Sequence, residues 1–103
     1  MSSSPRNAEN QDPVKRVHKQ LVVMNKLGMH ARPAAKFVKT ANQFTCEILV
    51  EKDSETVNGK SIMGLLMLTA GPGSRLFVQA TGLDAEAAVA ELEALMKRKF
   101  DED

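Results

Sequence analysis

The sequence predicts an α+β domain whose elements follow the order βαββαβα. Two periodicities lead to this prediction: residues 75–80 alternate between the two sides of a strand, whereas residues 84–99 repeat apolar side chains at helical spacing. A chain of 103 residues with 43% hydrophobic residues suits one domain with a core between two layers. The same order also fits a ferredoxin-like split βαβ domain with an added helix, so element order alone leaves the topology open.

Residues typical of turns and helix ends bound the other elements. Asp53 and Ser54 favour a turn, which makes the strands around them a hairpin. Ser61 and Asp84 are typical N-caps, and the glycines and proline of 70–74 indicate a turn. The predicted strands are 18–25, 45–52, 55–57 and 75–80, and the predicted helices are 31–42, 62–68 and 84–99.

Composition excludes several kinds of chemistry. Cys46 is the only cysteine, so the chain can form neither an internal disulfide nor a cysteine-based zinc site. His18 and His30 are the only histidines and no carboxylate is near either in sequence, so we expect no metal and no cofactor. No apolar run approaches the roughly 18 to 20 residues of a membrane span, and no secretory signal is recognisable. We therefore expect a cytoplasmic protein without a membrane partner.

The first sixteen residues differ in composition from the rest. They are rich in Ser, Asn, Gln, Pro and charged residues and contain almost nothing apolar to bury. Because such segments cannot offset the entropy of folding, we predict a disordered tail at 1–16 and a folded domain at 17–103.

The stretch NKLGMHARPA, residues 25–34, is the strongest functional candidate. It joins a strand-like run to a helix-like run, so His30 belongs to a helix start, where the amides of Ala31 and Arg32 favour an anion. Arg32 adds a guanidinium that suits phosphate oxygens. The combination favours a histidine that accepts a phosphoryl group and passes it on. The alternative is that His30 is a cap or a solvated side chain, which is commoner for a histidine at such a position.

Charge is distributed unevenly along the chain. Between Pro13 and Cys46 there are basic residues and no acidic one, and this segment contains His30. Such a segment attracts acidic protein surfaces. It would attract nucleic acid too, so a small RNA-binding domain is another hypothesis. However, the chain has no Trp or Tyr, and its four Phe are too scattered to form a surface on which bases stack. We therefore expect an acidic protein partner and no nucleic acid.

Two motifs carry a family resemblance: GMHARPAA at 28–35 and NGKSIMGLLML at 58–68. In this order they resemble the histidine phosphocarrier proteins (HPr) of the bacterial phosphotransferase system. The resemblance implies an open-faced β-sandwich, in which three helices cover one face of a four-stranded antiparallel sheet. It also implies a stoichiometric phosphoryl carrier, not an enzyme, that accepts phosphate from Enzyme I and passes it to IIA proteins.

The resemblance also assigns residues. The phosphate would lie on Nδ1 of His30, with Arg32 beside it, and Ser61 would be a regulatory site for a serine kinase. Met29, Ile62, Met63 and Leu66 match positions that contact donor and acceptor proteins, and a monomer is implied. If transfer has been lost, the alternative is a regulatory binding module switched by phosphorylation at Ser61.

The branch of the family stays open. The stretch 25–34 and the ending Phe100–Asp103 resemble the nitrogen-related branch (NPr), whereas GKSIMG at 59–64 resembles the sugar-transport branch. Leu27 stands where sugar-branch members often place a small polar residue. The acidic residues 101–103 are expected to aid solubility, or to lie against Arg32.

Overall fold

A computed structural model describes residues 15–102 of the chain. The predicted tail lies outside the described residues as far as position 14, and its disorder stays a prediction. Arg16, which we assigned to the tail, begins the first strand instead. The elements are β1 (Arg16–Val22), α1 (Ala31–Ala41), β2 (Glu47–Lys52), β3 (Glu55–Asn58), α2 (Ile62–Met67), β4 (Arg75–Thr81), α3 (Ala85–Lys97) and a short turn (Lys99–Asp101).

The predicted order βαββαβα is confirmed, and the topology is that of an open-faced sandwich. The four strands form one antiparallel sheet in the order β1-β4-β2-β3, so β4 lies between β1 and β2 and pairs with both. Leu21 of β1 lies opposite Leu76 of β4, and Val50 of β2 lies opposite Val78. Residues from these strands and from all three helices share one buried apolar cluster.

Alternation along the strands separates a covered face from an open one. Along β4, Leu76 and Val78 are fully buried, whereas Phe77 is 53% exposed. His18 of β1 is exposed on the strand paired with β4. Because successive strand residues point to opposite faces, one face of the sheet forms the core with the helices and the other faces solvent.

The start of β2 differs from the prediction because of Asp84. Asp84 takes the N-cap position of the last helix, as predicted, but its side chain makes no cap bond there. Its carboxylate accepts hydrogen bonds from the backbone N–H of Thr45 (2.8 Å) and Cys46 (3.0 Å). These bonds, the one from Thr45 first, hold the pKa of Asp84 below its ordinary value. The two amides precede β2, which begins at Glu47 and not at Thr45.

Two features are absent from residues 15–102. None of the helices in this range combines the length and the apolar composition that a membrane crossing requires. No group of three or more His, Cys, Asp or Glu side chains is placed there to hold a metal ion.

Candidate functional site

His30 is the N-cap residue of α1, at the helix start predicted for it. Its backbone is extended (φ −88°, ψ −169°), and its carbonyl accepts the first bond of the helix, from Ala34 N at 3.0 Å. Its imidazole makes no cap bond, and the side chain is 38% exposed. The ring is therefore not used to satisfy its own helix and remains accessible to a partner.

A close contact between two loops positions His30. Gly28 has φ +74°, and a Cβ there would lie 2.7 Å from Ala70 O and 2.8 Å from Gly71 Cα. Met29 N donates to Ala70 O at 2.8 Å, and His30 N donates to Gly28 O at 3.0 Å. Only glycine fits both the left-handed backbone and the close approach, so the turn at 70–74 supports the loop that carries the histidine.

The start of α1 has free capacity for an anion. The amides of Ala31 and Arg32 precede the first intrahelical bond, and Pro33 has no N–H to satisfy. No acidic side chain lies in the first turn. The helix dipole and two amides can therefore stabilise a negative group beside the histidine. An open cavity at this point is lined by Lys26, Leu27, His30, Arg32 and Glu102.

Glu102 contacts the histidine directly, a contact that the sequence does not predict. Its Oε2 lies 3.1 Å from Nε2 of His30, and its Oε1 accepts a 2.9 Å hydrogen bond from Nδ2 of Asn25. We expected residues 101–103 to aid solubility or to lie against Arg32. Glu102 instead bonds to His30 and Asn25, although Arg32 is close enough to act on its charge.

The carboxyl of Glu102 is the anionic partner in this contact. Burial acts to raise the pKa of Glu102, but the hydrogen bonds from Asn25 and His30 and the charge of Arg32 outweigh it, so the pKa lies below the ordinary value of 4.5. An ionised carboxylate only accepts hydrogen bonds, so Nε2 of His30 must carry the hydrogen. In the neutral ring Nδ1 then keeps its lone pair, which is the nucleophilic form of a histidine.

Ser61 lies at the start of α2 and caps it, as predicted. Its Oγ accepts a 3.0 Å hydrogen bond from Gly64 N, and the residue is half-buried. Helix α2, which packs against α1, exposes much of its apolar surface. Ile62 is 40% exposed and Met63 68%, whereas Leu66 is half-buried against the core.

Met29 does not fit the docking role that the resemblance gave it. Its side chain is 5% exposed and belongs to the buried cluster, because its backbone is bonded to Ala70 and the side chain turns inward. Two large apolar side chains that we did not select are open instead: Leu27, 74% exposed beside His30, and Met67, 62% exposed on α2. Exposed Leu27 and Met67 extend the apolar surface available to a partner.

An open four-stranded sheet under three helices, with an accessible histidine at a helix start, defines the class of histidine phosphocarrier domains. The family model described as PTS HPr component phosphorylation site matches residues 17–98. The chain therefore belongs to the HPr family, the phosphocarriers of the phosphotransferase system.

Curated relatives come from more than one branch of this family. The HPr-like protein Crh of Halalkalibacterium halodurans is 47% identical over 83 residues, which cover 81% of this chain and 99% of the relative. The phosphocarrier protein NPr of Shewanella violacea is 38% identical over 87 residues, covering 84% of this chain and 96% of the relative. Because relatives of different branches match this chain over most of its length, these similarities show the family and do not assign the branch.

Solved structures support the same fold. HPr-C-His from Thermoanaerobacter tengcongensis is 44% identical with a TM-score of 0.82, covering 84% of this chain and 98% of that one. Selenomethionyl Crh from Bacillus subtilis, described as a swapped-domain dimer, is 41% identical with a TM-score of 0.66, covering 81% of this chain and 95% of that one.

Proposed function

We propose that His30 accepts a phosphoryl group from Enzyme I and passes it to a IIA protein. In the accepting step, Nδ1 of His30 forms a bond to phosphorus while the phosphorus–nitrogen bond of the donor's phosphohistidine breaks and its electron pair returns to the donor ring. The observation that carries this proposal is the accessible imidazole at the start of α1, with Nε2 engaged by Glu102. The chain is then a stoichiometric carrier and not an enzyme.

The helix start supplies the stabilisation that the phosphorylated state needs. The amides of Ala31 and Arg32 and the guanidinium of Arg32 would bind the phosphoryl oxygens, because charge-assisted and forked hydrogen bonds suit a dianion. A phosphoramidate is already reactive, so positioning and electrostatics are most of what the carrier must provide.

The partner surface combines apolar and basic side chains. Ile62, Met63 and Leu66 of α2 would contact Enzyme I and the IIA protein, and the exposed Leu27 and Met67 would extend this contact surface. The acid-free segment between Pro13 and Cys46 favours proteins with acidic surfaces and speeds their encounter. We propose no nucleic-acid partner.

A phosphorylation assay tests the carrier function. The chain is incubated with phosphoenolpyruvate and Enzyme I, and the intact mass is measured. We expect the mass of one phosphoryl group to be added to the wild type and to His18→Ala, and nothing to be added to His30→Ala. His18 is a matched control because it is the other histidine and is exposed on β1. Phosphorylation of His30→Ala, or none of the wild type, would contradict the proposal.

A regulatory role for Ser61 is the second candidate. Ser61 starts the helix that carries the exposed Met63, and a Crh protein is among the relatives. A phosphate there would add about two negative charges next to the docking surface and weaken an acidic partner's approach. We expect Ser61→Asp, which keeps a capping residue, to slow phosphoryl transfer, and Ser61→Ala to leave its rate unchanged.

The branch and the oligomeric state can be tested with the same material. Comparing phosphorylation rates with sugar-type and nitrogen-type Enzyme I assigns the branch. We propose a monomer, and light scattering of the chain in solution distinguishes it from a dimer of the kind described for the Bacillus subtilis relative.

A further inference from the structure

We propose that Glu102 is a positioning residue for His30, which holds the ring with Nδ1 free and stabilises the charge that the ring gains on phosphorylation. This inference rests on the proposed carrier function. Its basis is the contact of both carboxylate oxygens with Nε2 of His30, at 3.1 and 3.3 Å, by a side chain that is only 12% exposed. Glu102 touches the histidine and not the transferred group.

A left-handed turn brings Glu102 to the histidine. Lys99, Phe100 and Asp101 have φ values of +57°, +57° and +59°, although none is a glycine. Such a backbone is unfavourable for residues with a Cβ and persists only where surrounding contacts enforce it. The turn reverses the chain after α3, so that residue 102 reaches the start of α1. Unfavourable backbone at this place is what one expects where a side chain must be held for function.

Three contacts enforce the turn. The side chain of Phe100 is fully buried in the core, and the carbonyl of Phe100 accepts a 2.7 Å hydrogen bond from Lys36 Nζ of α1. Arg98 Nε donates to Asp101 Oδ1 at 3.0 Å on the exposed side. The turn is therefore attached to the same helix that carries His30, which fixes the distance between Glu102 and the ring.

Asn25 holds the carboxylate from the other side. It is fully buried, and its Nδ2 donates to Gly28 O at 2.7 Å and to Glu102 Oε1 at 2.9 Å. Turning the amide over would place Oδ1 against two acceptors, so this orientation is the one that chemistry allows. Asn25 thus links the loop of His30, through Gly28, to Glu102.

The contact has two consequences for the transfer step. With Nε2–H donated to the carboxylate, the neutral ring presents its lone pair at Nδ1. When Nδ1 bonds to phosphorus and the donor's nitrogen leaves with its electron pair, the ring becomes positive and keeps its Nε2 hydrogen. A carboxylate about 3 Å away stabilises that positive charge, as the acid of a hydrolase triad does for its histidine. No proton has to leave the site.

Three variants separate the two consequences. Glu102→Ala removes the contact, and Glu102→Gln keeps an acceptor oxygen but removes the charge. Glu91→Gln is the matched control, because it makes the same glutamate-to-glutamine change at an exposed position of α3. Two readouts are needed: kcat and KM for each variant as the substrate of the phosphoryl donor, and the tautomer of His30 from the ¹⁵N spectrum of its ring.

We expect Glu102→Ala to lower kcat about tenfold at unchanged KM, as for loss of one charge-assisted hydrogen bond, and to admit the Nδ1–H tautomer. Glu102→Gln should lower kcat but keep the Nε2–H tautomer, and Glu91→Gln should match the wild type. Wild-type kcat in both Glu102 variants overturns the proposal, and so does an unchanged tautomer in Glu102→Ala.

If Glu102→Ala does not fold, Glu102→Gln decides by its kcat. If no donor phosphorylates the wild type, the carrier function fails, and the tautomers of wild type and Glu102→Ala still decide whether Glu102 holds the ring.

Discussion

A polar residue occupies the N-cap position of both α1 and α2, but the two side chains make different contacts. The hydroxyl oxygen of Ser61 accepts a hydrogen bond from Gly64 N of its own helix, so its hydrogen bonding is satisfied locally. His30 makes no cap bond and is held by Glu102, which is 72 residues away in sequence. A self-capped start stabilises its helix, whereas an uncapped start leaves amides and a ring nitrogen for a ligand. The comparison therefore distinguishes a helix start that is satisfied by its own cap from one whose amides and ring nitrogen remain available.

The largest effect is expected from breaking the loop that presents His30. In Gly28→Ala the new Cβ would meet Ala70 O at 2.7 Å on a backbone with φ +74°. Left-handed strain and overpacking together should lower the free energy of unfolding by about 3 kcal/mol, measured by denaturant titration. Gly71→Ala is the control, because nothing lies within 4 Å of its Cβ position. Equal losses in the two variants would show that the close approach of the loops does not matter.

The next effect concerns the anion site at the uncapped start. Arg32→Ala removes the guanidinium while leaving the amides, and we expect phosphoryl acceptance to slow about 30-fold, in keeping with roughly 2 kcal/mol for a charge-assisted hydrogen bond. Arg32→Lys should lie between, because a lysine keeps the charge but not the forked geometry. Lys39→Ala, at the other end of α1, is the control. If the two alanine variants slow transfer equally, Arg32 acts only through net charge.

A smaller effect is expected at the self-capped start. Ser61→Ala removes the acceptor for Gly64 N and should lower the free energy of unfolding by about 1 kcal/mol, without changing the rate of phosphoryl acceptance. Ser61→Asp should recover most of that stability. A loss of rate in Ser61→Ala would mean that the serine hydroxyl serves more than the fold.

The same contrast explains what the sequence could predict. The positions of His30 and Ser61 follow from local rules, since a change of periodicity marks a helix start within a few residues. The contact of Glu102 with His30 does not follow from local rules. It depends on three consecutive residues with left-handed backbone, none of them glycine, and no local sequence pattern predicts such a turn. Its two partners, Asn25 and His30, are more than 70 positions away.

Tertiary contacts also explain where two other expectations differ from the structure. Met29 was assigned to a docking surface by resemblance, but the bond from its N–H to Ala70 O places its side chain in the core. Asp84 takes the predicted N-cap position of α3, but its carboxylate accepts from the amides of Thr45 and Cys46 and makes no cap bond. Local propensity gave the correct elements, and long-range hydrogen bonds decided what these side chains do.

Asp84 provides a third helix start and the smallest predicted effect. The pKa of Asp84 is lowered, so its ionised form stabilises the folded state above the ordinary value of 3.8, and that stabilisation is lost as the pH falls through the lowered pKa. Asp84→Asn should therefore be less stable than the wild type near pH 7, and the gap should narrow below about pH 4. Thermal unfolding of both chains from pH 7 to pH 3 measures this, with Asp53→Asn as an exposed control. A gap independent of pH would show that Asp84 acts through its shape and its hydrogen bonds, as Ser61 does, and not through its charge.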